Sequence, residues 1–295
     1  MPWLVALVLL CSAWGVERSA AAAGAGAQLE AALAVLREGD LPAARAVVQR
    51  LVRERPRQPR YRWLLGRVLW LDQAYPAAAG QLEQAAELCP QAADIHYWLG
   101  RARGEQARQA PLLQRPVLAR RTLAAFRRAV NADSDHVQAR LALLQYYLRA
   151  PALLGGGRDE AQAQVEAIAG LDPLWTYRAR GLMQAAAGDF EQAREGYQQA
   201  RREYPDSPLP LFWLAESHRS RQAYAAALEI YRELAWWSPP QPRAWYEFAV
   251  TAEAMGRYRA EALGWLQHYV DEPLALDAVA PARVRQLYRQ LQAGL

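Results

Sequence analysis

Residues 61–90, YRWLLGRVLWLDQAYPAAAGQLEQAAELCP, decide the fold. They read as a pair of helices. Gly66 is a small residue inside the first helix, Ala78 is a small residue inside the second, and Pro90 stands where the second helix cannot continue. The pattern recurs along the chain. First helices carry Ala32, Gly66, Gly100, Ala142, Gly181, Ala215 and Ala249, and second helices carry Ala44, Ala78, Ala161, Ala193 and Ala227. Pro56, Pro90, Pro173, Pro205, Pro239 and Pro273 close the units. The steps Ala32–Gly66, Gly66–Gly100, Gly181–Ala215 and Ala215–Ala249 are 34 residues each. A fixed period of this length marks a stack of supersecondary units, none of which can bury its apolar face alone.

The landmarks carry a family likeness. Trp63-Leu64-Leu65-Gly66 followed by Ala78, Leu82, Ala85 and Pro90 resembles the tetratricopeptide repeat. So do Leu214-Ala215 with Ala227, Tyr231 and Pro239, and Gly181 with Gly188, Ala193, Tyr197, Ala200 and Pro205. The resemblance implies an all-α, right-handed superhelical solenoid of about seven antiparallel helix pairs over residues 27–275. Small residues let paired helices approach closely, and Tyr197, Tyr231 and Trp265 are expected to fill the space between hairpins. Residues 276–295 are expected to form a cap, because Val284, Leu287, Tyr288 and Leu291 share one helical face.

Two repeats break the period. Regular units have 12 residues between their small landmarks, as from Gly66 to Ala78. The third has 22, from Gly100 to Thr122, and the fourth has 19, from Ala142 to Ala161. The extra residues, near 104–118 and 149–157, are expected in loops at the turn inside each hairpin. Such loops fall on one edge of a solenoid, often a binding edge. Leu112, Leu113, Leu153 and Leu154 are too apolar for plain solvated loops. They either pack on one another to seal the edge or dock a partner. The Gly155-Gly156-Gly157 run reads as a turn needing positive φ.

The resemblance further implies a ligand groove lined by first helices. Trp63, Arg67, Trp70, Tyr97, Arg101, Phe212, Glu216, Arg219 and Tyr246 are the residues expected to face it. Arg67 and Arg101 lie 34 apart and each follows an aromatic by four residues. Stacked guanidiniums could hold a carboxylate bidentately or a peptide carbonyl, unless they are taken up in ion pairs within the array. The Lys/Asn clamp that some co-chaperones use for a C-terminal carboxylate has no match at these positions.

Chemistry is sparse elsewhere. None of His96, His136, His218 and His268 forms an i, i+4 metal pair, and neither a nucleophile elbow nor a phosphate loop occurs. Cys89-Pro90 with His96 reads as a helix end before a structural proline rather than a metal site. The reading is therefore a non-enzymatic protein that needs no cofactor or metal. The net charge of +5 is too small to imply nucleic acid. It is uneven, however. Eight arginines and one acid, Glu105, lie between Arg101 and Arg128, which suggests a solvated face or an anionic lipid surface.

Trp3 to Val16 form an apolar run followed by Ala20-Ala21-Ala22-Ala23-Gly24-Ala25, the order of an export signal over residues 1–26. An uncleaved anchor that gives membrane association through the N-terminus, or lipidation at Cys11, are the alternatives. These readings converge on a periplasmic or exported interaction scaffold of the cell envelope that binds a protein or peptide. An anionic-lipid adaptor, or a non-catalytic accessory subunit of an envelope enzyme, are the other readings.

Overall fold

A computed structural model describes residues 20–38, 40–272 and 279–294, with side chains from residue 27 onward. The expected export signal, its Cys11 and the landmark Pro273 lie outside the described residues or side chains. Fifteen α-helices and no strand occur among the described residues. They are α1 (Ala20–Arg37), α2 (Leu41–Glu54), α3 (Pro59–Leu71), α4 (Tyr75–Leu88), α5 (Ala93–Gln109), α6 (Arg115–Ala132), α7 (Val137–Arg149), α8 (Arg158–Ala169), α9 (Pro173–Ala186), α10 (Phe190–Glu203), α11 (Leu209–Ser220), α12 (Tyr224–Ala235), α13 (Pro242–Met255), α14 (Arg259–Asp271) and α15 (Pro281–Ala293). Each helix packs on its sequence neighbours, which gives seven hairpins and a last helix lying on α13 and α14.

The landmarks work as packing devices. Ala44, Ala78, Ala161, Ala215, Ala227 and Ala249 have no exposed surface. Glycine stands where the facing side chain is too large even for alanine. A Cβ on Gly66 would sit 2.5 Å from Leu82 Cγ, one on Gly100 would sit 2.4 Å from Phe126 Cε1, and one on Gly181 would sit 2.4 Å from Tyr197 Cζ. Tyr197 and Tyr231 are buried between hairpins, as expected, and Trp265 is half-buried.

Helix starts follow local chemistry. Asp40, Asp172 and Asp189 accept the backbone N–H three residues on, at 2.8, 3.1 and 3.0 Å. His136 caps α7 by accepting from Ala139 N through Nδ1, which leaves Nε2–H to donate to Asp94 3.2 Å away. On the last helix Val284, Leu287 and Leu291 are buried against the Phe248–Leu266 core, while Tyr288 is half-buried.

The third-repeat insertion differs from the expected loop. Most of the extra residues lengthen helices: α5 runs nine residues past Gly100 where α3 runs five past Gly66, and α6 begins seven before Thr122 where α4 begins three before Ala78. Each helix gains about one turn, and only residues 110–114 remain as connection. An added turn on both helices keeps the backbone hydrogen-bonded, whereas a ten-residue loop would leave it to solvent. The fourth-repeat insertion is irregular, as expected. A short 3₁₀ helix, Ala152–Leu154, packs on α6. Gly155 takes φ +86°, and a Cβ on Gly156 would fall 1.7 Å from the Ala150 carbonyl oxygen. The glycine run is a fold requirement of this turn.

Candidate partner-binding trough

The concave side of the array is a trough of about 630 Å³ running from the third hairpin to the seventh. Its walls come mainly from first helices: Tyr97 and Arg101 on α5, Gln138, Gln145 and Arg149 on α7, Trp175 and Arg178 on α9, Trp213 and Glu216 on α11, and Arg243 on α13. The lengthened end of α5 adds Arg108 to one side, and Ala119 of α6 lines it as well.

At the C-terminal end the trough is braced by a chain of alternating charges. Arg178 donates to Glu216 Oε2 at 2.6 Å, and Arg243 donates to Glu216 Oε1 at 2.6 Å. Glu247 joins from beneath, 3.1 Å from Arg219 and 3.7 Å from Arg243. Burial raises the Glu247 pKa above the ordinary carboxylate value, and the two arginines oppose that rise. Beside this network Trp213 packs against Trp175 at 5.5 Å and Tyr197 at 5.8 Å.

At the N-terminal end the arginines pair with aromatic faces. The Arg67 guanidinium lies 4.9 Å from the Trp63 ring and 3.9 Å from Trp98, and Arg101 lies 4.2 Å from Trp98 and 4.6 Å from Trp70. Each such contact contributes about 0.5–2 kcal/mol depending on desolvation. That is more than an exposed ion pair would give. The Arg67–Arg101 stack thus binds the second hairpin to the third through the buried Trp98.

The expected groove residues therefore divide. Tyr97, Arg101 and Glu216 line the trough. Trp63, Arg67 and Trp70 sit beyond its end as half-buried packing on the N-terminal core. Phe212 is a correction: it is 4% exposed, with the Arg243 guanidinium 5.1 Å above its ring. Arg219 is tied to Glu247, and Tyr246 is half-buried 6.1 Å from Tyr269.

The edge leucines do not seal one another. Leu112, Leu113 and Leu153 are exposed, and Leu154 is half-buried with its carbonyl accepting from the Tyr146 hydroxyl at 2.8 Å.

Several trough residues escape the sequence reading. Arg178 occupies the position three before Gly181, as Tyr97 does before Gly100, so the repeat register alone could have found it. Trp175, Leu209 and Arg243 lie six before their landmarks. They share that helical face one turn nearer the N-terminus. Gln138, Gln145 and Arg149 belong to the irregular fourth repeat, whose drifted phase hides them.

No cluster of three or more His, Cys, Asp or Glu side chains suited to a metal occurs among the described residues. His96 is 3% exposed and donates Nε2–H to the Pro90 carbonyl at 2.7 Å. Burial holds its pKa below the ordinary value and raises that of the half-buried Cys89 thiol. Both are neutral packing groups at a helix junction.

A tetratricopeptide-repeat family profile matches residues 29–93 and 178–242. These stretches flank the two irregular repeats, where the lengthened helices and the glycine turn disturb the period. Among solved structures, a tetratricopeptide repeat protein from Parabacteroides merdae is similar over 90% of this chain and 98% of its own, at 12% identity and a TM-score of 0.53. A thermophilic protein of the same repeat class from Thermus thermophilus is similar over 65% of this chain and 97% of its own, at 19% identity and a TM-score of 0.52. A search of curated proteins gives no match. Helices paired at small-residue landmarks, a 34-residue period and the family profile agree: the chain carries tetratricopeptide repeats over residues 29–93 and 178–242, within a helical array whose fold is that of solved tetratricopeptide-repeat proteins.

Proposed function

We propose that the chain is a non-enzymatic interaction scaffold whose trough holds an extended, acidic segment of a protein partner. The supporting observation is the composition of the trough walls. Arg101, Arg108, Arg149, Arg178 and Arg243 share the lining with one carboxylate, Glu216, while Glu105 pairs with Arg108 from outside it, and the half-buried Tyr97 and Trp175 lie between them. Arg101 and Arg149 have no carboxylate within ion-pair distance among the described residues. Guanidiniums bind carboxylates bidentately, and aromatic faces take the apolar parts of an extended chain. Gln138 and Gln145 supply donors and acceptors for a peptide backbone.

The apolar run Trp3–Val16 and the small residues after it support placing this scaffold in the cell envelope, exported to the periplasm or tethered by its N-terminus.

Selection of a displayed random-peptide library on the full chain tests the binding reading. The expected winners are rich in Asp and Glu, bind more weakly as salt rises, and lose at least tenfold in affinity for Arg101→Glu/Arg149→Glu. Winners that are basic or purely apolar, or that bind this variant unchanged, would refute it.

A further inference from the structure

The third hairpin ends in a tip that is apolar where solvated turns are polar. Leu113 is 93% exposed and Leu112 74%, and Val117, at the start of α6, is 52% exposed. The turn does not fold back to hide them. Its backbone is closed by Gln114 N–H donating to Pro111 O at 2.9 Å, and Arg115 Nε donates to Ala110 O at 2.9 Å. Pro111 and Pro116 bracket the leucines and fix φ on either side. Because α5 and α6 are each a turn longer than their counterparts, this apolar tip is carried beyond the turns of the regular hairpins. Leu153, 83% exposed, stands on the 3₁₀ helix packed against the same α6.

Along the chain, the charge on either side of the tip has one sign. No Asp or Glu occurs from Gln106 to Ala132. Arg115, Arg120 and Arg121 are exposed, and no carboxylate pairs with them among the described residues. At 1.5 Å per residue, Arg121 lies on the order of 9 Å along α6 from its first residue. That separation matches the depth of a headgroup layer above an interfacial apolar anchor.

We propose that this tip is a membrane anchor. Leu112 and Leu113 enter the acyl boundary of a bilayer that contains anionic lipid, and Arg115, Arg120 and Arg121 take the lipid phosphates. A convex pair of leucines needs a surface that deforms around it, and a bilayer does so without a preformed cavity. A collar of uncompensated guanidiniums matches a negative surface potential. The anchor is independent of the trough reading, because none of these five residues lines the trough.

Co-sedimentation of the full chain with vesicles tests the anchor. Vesicles of phosphatidylcholine are compared with vesicles in which phosphatidylglycerol is mixed. Leu112→Ser/Leu113→Ser and Arg120→Gln/Arg121→Gln should each lower partition onto the mixed vesicles by about tenfold or more, with unchanged circular dichroism, since all four residues are exposed. Inorganic phosphate should compete no better than chloride at equal ionic strength, which separates lipid headgroups from free phosphate. Every variant carries the same N-terminus, and a second readout isolates the tip from it. An environment-sensitive fluorophore on Leu113→Cys, in a Cys11→Ser/Cys89→Ser background, should shift to the blue on mixed vesicles. A fluorophore that stays in water, or leucine variants that sediment like the native chain, would overturn the proposal. Loss of a co-precipitating protein in the leucine variants, with vesicle partition intact, would also overturn it and assign the tip to a protein interface.

Discussion

Arg283 of α15 donates a hydrogen bond to the Tyr75 hydroxyl at 2.9 Å, across 208 positions of chain. The same guanidinium donates to Gln73 Oε1 at 3.2 Å and lies 3.5 Å from Glu105. The capping helix therefore reaches back to the second and third hairpins, so the superhelix closes on itself beside the trough. Arg283→Ala should release this contact. Arg283 is 38% exposed, so the stability loss should stay within about 1 kcal/mol, a fall in Tm of roughly 2–4 °C. The larger effect should be geometric: X-ray scattering should show an increased radius of gyration. An unchanged radius would mean that stacking alone holds the curvature.

The glycine landmarks predict opposite outcomes for one substitution. Gly100→Ala places a methyl 2.4 Å from the Phe126 ring, which is 7% exposed and has little room to yield. Overpacking of this kind costs about 1–3 kcal/mol. Gly80, inside α4, borders open space: a Cβ there would meet nothing within 4 Å, so Gly80→Ala gains helix propensity of up to about 1 kcal/mol. Thermal unfolding should rank Gly80→Ala above the native chain and Gly100→Ala below it. The reverse order would show that the hairpins are not limited by close approach at Gly100.

His96 makes stability depend on pH with a definite sign. Its pKa is depressed in the folded chain, chiefly by burial, while the unfolded value is about 6.5. As pH falls below about 6.5 the unfolded chain gains a proton that the folded chain refuses, so stability drops until the depressed folded value is passed. Unfolding midpoints measured from pH 7.5 to 5.5 should fall less for His96→Gln than for the native chain. Equal pH slopes would place the acid sensitivity elsewhere, for instance at His218, whose pKa is also lowered by burial.

The hairpin array was legible because its landmarks act through local sterics. Gly66, Ala78 and Pro90 state close approach, close approach and stop without reference to distant residues. Tyr97 and Arg101 were legible for the same reason, since their place on α5 follows from the period. Arg149 and Gln145 were not, because the fourth repeat drifts out of phase. Phe212 was misplaced because period fixes a helical face but not the neighbour that covers it, here Arg243. The lengthening of α5 and α6 was also hidden, since ten extra residues between landmarks do not say whether they extend helices or loop out. The bridge from Arg283 to Tyr75 depends on the accumulated curvature of the whole stack, which no single repeat records.

The most direct measurement is photo-crosslinking from benzoylphenylalanine placed at Gln145, inside the trough, with a control at Gln162, on the exposed face of α8. In cells producing the full chain, a covalent adduct should form from Gln145 and map to an acidic segment of the captured protein, and Gln162 should give none. An adduct from Gln162 with none from Gln145 would contradict the trough as the binding surface.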